Sequence, residues 1–234
     1  MEPQQLPDII GEAVVLNVPN PPAGTRYEDY EDFRSAELLR ANGSEPDDAG
    51  VLSALRTRTG ILLAAAAHTA GARGFADALP TLERLRQAAD DTVAVEAAYA
   101  LVRLGVEDGR ATLRDLLRAR GPLDLGGLRA AGYLALTGDP SGYPAVVDAL
   151  HSEHMVIRMT ACKQLYAFVA LDGMADPSGE PVDVGALFRT PLADSDPDVQ
   201  WQALAQLRAL AGSTSDGNIR HLAEGILRDT GNSL

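Results

Sequence analysis

The feature that most constrains this chain is a recurrence. Aligning Ala67, Leu101, Leu134, Leu165 and Leu207 places five similar segments at steps of 34, 33, 31 and 42 residues. Self-similarity at such a period marks stacked supersecondary units, each unable to bury its apolar face alone. Every segment reads as helix. In the clearest, Val93, Ala97, Ala100, Leu101 and Leu104 recur at helical spacing and form one face of small and aliphatic side chains, narrow enough to approach a neighbour closely. Gly105 then stands where a helix end needs a positive φ. A second helix follows at 108–119, with Leu113, Leu116 and Leu117 inward and Asp108 at the positive end of the dipole. The same reading predicts first helices at 59–71, 93–105, 126–138, 157–169 and 199–211, and second helices at 79–87, 108–119, 143–151, 184–193 and 218–228. Pro80 and Pro144 fall in first turns of second helices, where a missing N–H is tolerated. The fold class is therefore all-α, an α-solenoid of about five stacked helical hairpins. The step of 42 comes from an insertion at 172–183 between the fourth pair's helices. It is either a neutral surface loop or a loop on the binding face.

Composition narrows the partners. The 234 residues carry 33 acids against 20 bases, a net charge of −13, which disfavours unaided binding to nucleic acid. Nineteen of the 20 bases are arginine, read as the codon bias of a GC-rich bacterium. A single cysteine, Cys162, excludes an internal disulfide or a Cys-rich zinc module. Aligned in an alanine-pair column, it is expected buried and inert. No signal peptide is visible, and the apolar stretches fall short of the roughly 20 residues that a membrane span needs. The expected compartment is the cytoplasm, with no membrane partner.

Up to about residue 50 the composition differs. Pro19, Pro21 and Pro22 break any helix, the stretch 13–18 reads as a strand or extended arm, and 33–41 reads as one helix with Leu38 and Leu39 inward. Eleven acids and three bases, with the run Glu28, Asp29, Glu31, Asp32 among the acids, give this segment −8 of the total. The chain is thus divided into an acidic N-terminal arm or cap, 1–50, and a repeat domain, 51–234. The arm is either a solvated cap over the core's end or an acidic peptide that docks on a basic groove or a partner.

Val93, Ala97, Ala98, Leu101, Leu104 and Gly105 in one unit, Arg129, Ala130 and Ala131 with Gly138, Asp139 and Pro140 in the next, Ile157 and Arg158 with Ala161, and Asp196, Pro197, Asp198 and Val199 carry a resemblance. Over roughly 51–229 the chain resembles the short HEAT-like repeats found in phycocyanobilin lyase subunits. The resemblance implies helix pairs stacked into a solenoid whose second helices line the concave surface. It implies no catalytic residue, because only packing and capping positions match.

Arg110, Arg114 and Arg118 recur at i, i+4 and i+8 on one second helix, with Arg84 and Arg86 on the preceding one. Two readings stand: a basic stripe in the groove for an acidic ligand, onto which the acidic run Glu28–Asp32 is one candidate to fold, or a solvated face whose charges pair with Glu83, Glu107 and Asp115. His151 and His154 lack a zinc-enzyme spacing and read as surface or capping residues. His68 reads as a packed residue with one hydrogen bond. The acids Asp194, Asp196 and Asp198 lack the glycine and closing glutamate of a calcium loop and read as a helix N-cap. Trp201 aligns with Val95 and Leu128 and is expected between repeats. With no catalytic, metal or cofactor constellation, the expected function is a non-enzymatic scaffold that holds an acidic protein or peptide partner in its concave groove. The alternative implied by the resemblance is a bilin-lyase-like or other small-molecule-binding enzyme. A HEAT-like DNA glycosylase is disfavoured by the charge.

Overall fold

The computed structural model describes residues 27–169, 179–180, 183–213, 217–229 and 231. The expected stretch at 13–18 and most of the 172–183 insertion lie outside the described residues. Twelve α-helices appear among the described residues, with no strand. They are α1 (Tyr27–Ala41), α2 (Asp48–Thr57), α3 (Gly60–Arg73), α4 (Leu79–Leu85), α5 (Asp91–Arg103), α6 (Asp108–Arg120), α7 (Leu125–Leu136), α8 (Tyr143–Ala149), α9 (Met155–Val169), α10 (Val184–Leu192), α11 (Pro197–Ser213) and α12 (Gly217–Asp229). From α3 onward they form five successive pairs. The first helices α3, α5, α7, α9 and α11 stack side by side; α5, α7, α9 and α11 each pack on their own second helix, and α3 packs on α1 and α2.

Local chemistry sets the helix ends. Asp90, Asp124 and Asp183 each accept a hydrogen bond from a first-turn amide of the following helix, at 3.0 Å from Thr92, Gly127 and Ala186. Asp196 does the same for Asp198 at 2.9 Å, so the acid cluster there is a cap. At the other end, Gly105 and Gly138 take φ of 82° and 81°. The amides beyond them, Val106 and Asp139, then reach back to the carbonyls of Leu101 and Leu134 at 2.9 and 2.8 Å. A side chain at that φ would be strained, so glycine is the residue that lets the chain turn into the second helix. Pro80 and Pro144 occupy the first turns of α4 and α8.

The aligned column is the core. Ala67, Leu101, Leu134, Leu165 and Leu207 are all fully buried, beside the alanine pairs that let first helices approach. A Cβ on Gly71 of α3 would lie 2.5 Å from the Ala100 Cα of α5, so these two backbones meet with no room for a methyl group. Cys162 is fully buried, and burial, with Asp194 nearby, pushes its thiol up to about 12. One expectation fails here. Val95 and Leu128 are fully buried by the pair that follows them, but Trp201 is 62% exposed, because among the described residues no pair stacks beyond α11 and α12.

The helix expected at 33–41 begins earlier, at Tyr27, and carries the acids Glu31 and Asp32 on it. Its Leu38 and Leu39 enter the core with Val51, Leu55 and Leu62. Among the described residues, no helix is long and apolar enough to cross a membrane.

Candidate functional site

Two adjacent residues of α1 reach four first helices. Glu31 accepts from the Lys163 ammonium of α9 and lies 3.6 Å from the Arg129 guanidinium of α7. Asp32 accepts from His68 Nε2 of α3 at 2.8 Å and takes both arms of the Arg103 guanidinium of α5, at 2.5 and 2.9 Å. Successive helix positions point about 100° apart, so one acid turns toward α7 and α9 and the other toward α3 and α5. Side chains from α3 and α7 also approach across α5, His68 Nδ1 lying 3.4 Å from the Tyr133 hydroxyl.

Beneath α1 lies a buried charge network. Glu96 of α5, 1% exposed, accepts from His68 Nδ1 at 2.7 Å and from the Tyr133 hydroxyl at 2.8 Å, and forms an ion pair with the Arg129 guanidinium at 2.6 Å, whose Nε donates to the Tyr133 hydroxyl at 3.2 Å. Tyr99 and Tyr133 stack with ring centroids 3.9 Å apart and planes 3° from parallel. The guanidinium groups of Arg103 and Arg129 lie over these two rings, each 5.7 Å from the centroid, an arrangement favourable to cations. The solenoid side thus offers four cations, His68, Arg103, Arg129 and Lys163, against the single carboxylate of Glu96. The residues on α1 supply two more carboxylates.

Burial disfavours every charge here, yet the partners outweigh it. Burial would lower the His68 pKa, but the Glu96 and Asp32 carboxylates on its two nitrogens raise it to about 9. Burial would raise Glu31, but Lys163 and Arg129 hold it at about 2. The carboxyls of Asp32 and Glu96 are held below their ordinary values in the same way, by His68 and Arg103 for one and by Arg129 and His68 for the other. His68 is therefore an imidazolium at neutral pH with both N–H groups engaged. That arrangement binds carboxylates; it does not accept a proton.

These shifts predict a pH window. The stabilisation from charged His68 is complete below pH 6.5 and is lost as pH rises through 9, and that from ionised Glu31 is complete above pH 4.5 and lost as pH falls through 2. Thermal melts across the range should show a maximum between about pH 4.5 and 6.5. The shift of His68 alone is worth on the order of 3 kcal/mol between pH 6 and pH 9. A melting temperature at pH 9 equal to that at pH 6 would contradict the network.

Two clefts open beside this cluster. One, of about 130 Å³, is lined by Glu31, Ser35, Ile61, Thr92, Glu96 and Arg129. The other, of about 210 Å³, is lined by Glu31, Leu125, Arg129, Tyr133, Lys163 and Gln164. Both have room for several waters, and both border the ion pairs of Glu31.

The arginines singled out from the sequence lie on α4 and α6, in the second-helix layer. Arg86 is joined to α6, its Nη1 donating to Thr112 Oγ1 at 2.9 Å while its Nε donates to Glu83 at 2.7 Å. Arg110 lies 3.3 Å from Glu107 and donates to the Thr137 carbonyl at 3.2 Å. Arg114 grips Asp139 at 2.6 and 2.7 Å, and Arg118 pairs with Asp115. Arg84 is exposed at the end of α4. The pairs with Glu83, Glu107 and Asp115 are those that the helical spacing allows. Of the acidic run on α1, Glu31 and Asp32 reach the first helices instead of this stripe.

His151, His154 and His221 are exposed. His68 departs from expectation: it makes two short bonds to carboxylates, where one hydrogen bond was expected. Glu96, Arg103, Tyr133 and Lys163 were not singled out by sequence, and Arg129 entered only among the residues of the repeat resemblance. Two signals point to them. Glu96 and Arg129 stand at the same repeat position, five residues before Leu101 and Leu134, and Lys163 is the one lysine of the chain.

No protein-family model and no curated protein matches the sequence. Among solved structures the chain is similar to the complex of CpcE and CpcF of phycocyanin lyase from a Nostoc species, at 18% identity and a TM-score of 0.44, over 86% of this chain and 82% of that one. Its own helices make the chain, over the described residues, an all-α solenoid of stacked helical hairpins.

Proposed function

We propose that this chain is a non-enzymatic HEAT-like scaffold that holds an acidic segment of a protein or peptide partner in its concave groove, acting in the cytoplasm. In this reading residues 51–234 are the scaffold body and 1–50 its acidic arm. The observation that carries the reading is the convergence of His68, Arg103, Arg129 and Lys163, from four successive first helices, on two adjacent carboxylates of a helix. A preorganised set of cations costs little to rearrange on binding. The arginines of α4 and α6, namely Arg84, Arg86, Arg110, Arg114 and Arg118, are the second basic surface proposed for the same partner.

The test is a fluorescence-anisotropy titration of the full chain, and of its Glu31→Gln/Asp32→Asn variant, with a labelled acidic helical peptide and a charge-reversed control. The acidic peptide is expected to bind and the control not, with affinity falling as salt rises from about 50 to 500 mM, as screening requires. Failure of the acidic peptide to bind either chain at low salt would overturn the scaffold reading. A visible absorbance band on incubation with a bilin, without peptide binding, would replace it with pigment binding.

A further inference from the structure

We infer that α1 is a displaceable occupant of the groove, so that the surface it covers is the docking site for a partner helix of the same pattern; this rests on the scaffold reading above. The helix is held in two different ways along its length. In its first half the groove contacts are charges, Glu31 and Asp32, set against His68, Arg103, Arg129 and Lys163. In its second half they are apolar, Leu38 and Leu39, which are 7% and 0% exposed. Between them only Ser35, a small residue, is buried. Glu31 and Leu38 are seven residues apart, as are Asp32 and Leu39, so each acid shares a helix face with one leucine two turns later.

The groove therefore reads a pattern: two adjacent acids, a small residue three to four positions on, and two adjacent aliphatic residues seven positions on. A partner helix with that spacing fits the same contacts. The charged half is accessible at its edges, although Glu31 and His68 within it are buried. Asp32, Arg103, Lys163 and Arg129 keep 23%, 26%, 29% and 37% of their side chains exposed. The two clefts border Glu31, Arg129 and Lys163. An incoming carboxylate reaches Lys163 and Arg129 from a cleft before α1 has left. The apolar half then acts as the hinge, because Leu38 and Leu39 are packed with Val51, Leu55 and Leu62 while the acids are exchanged.

The experiment uses the full chain and a labelled, terminally blocked peptide of residues 27–41 added in trans. The Glu31→Gln/Asp32→Asn chain should bind this peptide about tenfold more tightly than the unaltered chain, because the acids of α1 compete for the cations in one and not in the other. A peptide carrying the same two neutral residues should bind neither. Hydrogen exchange on the unaltered chain supplies a second reading that needs no variant. Amides of 27–36 should exchange faster than those of α5, and faster again when the peptide is saturating. Equal peptide affinity for the two chains would overturn the inference while leaving the scaffold reading intact. So would protection of 27–36 that matches α5 and does not change with bound peptide. Binding of the acidic peptide to neither chain would instead remove the scaffold reading on which it rests.

Discussion

Replacing Glu96 by alanine is expected to destabilise the chain by about 3–5 kcal/mol, the cost of removing one partner from a buried charge cluster. The carboxylate is 1% exposed and serves His68, Arg129 and Tyr133 at once. Without it, the His68 and Arg129 charges lose the carboxylate they share. Glu96→Gln keeps the shape and an acceptor but not the charge, and should recover part of the loss. Melting temperatures of the three chains check this. In a protein of this size the alanine variant should fall by on the order of 10 °C. The variant's melt should also lose much of its rise from pH 9 to pH 6, since His68 no longer gains a strong partner. A melting temperature within 2 °C of the unaltered chain's would show that the network is ornamental.

Leu101→Ala is the second large effect, expected to cost about 2–5 kcal/mol through lost transfer energy and the cavity left behind. Leu101 is fully buried between α3 and α5 and shares its cluster with Ala67, Ala97 and Ala100. The residues around it are small and already in contact, as the Gly71–Ala100 approach shows, so the backbone cannot close the hole. Denaturant midpoints read the effect directly. An unchanged midpoint with an unchanged slope would mean that the repeated column is not the core.

The two expected losses differ in how visible their sites are in the sequence. The Leu101 column is written as a period, and the period survives because every unit solves the same packing problem. Helix ends were legible because their signals are local: Gly105, Pro80 and Pro144 act through their own backbones, and Asp196 caps the helix that follows it. The Glu96 network was not legible. Its members come from five helices, and His68 with Glu31 and Asp32 looks ordinary in isolation. What makes them a site is the docking of α1 across the first helices, and hydrophobic periodicity carries no information about which helix crosses which. The same limit explains Trp201. Its column predicts burial against a following unit, and the prediction fails where no described unit follows. For the arginines of α4 and α6, spacing anticipated the pairs with Glu83, Glu107 and Asp115, but not the grip of Arg114 on Asp139 from the next unit.

A stack of repeats in which each unit meets only its neighbours is nearly one-dimensional, and it frays from its ends in steps. The contact between Glu31 and Lys163, 132 residues apart in sequence, breaks that rule. It ties α1 to the fourth pair, so while the acids of α1 are seated the units from α3 to α9 are coupled beyond nearest neighbours. The pair α11 and α12 lies beyond this clasp and keeps only nearest-neighbour support. Among the described residues, opening of that last pair is therefore expected to leave the clasped units in place.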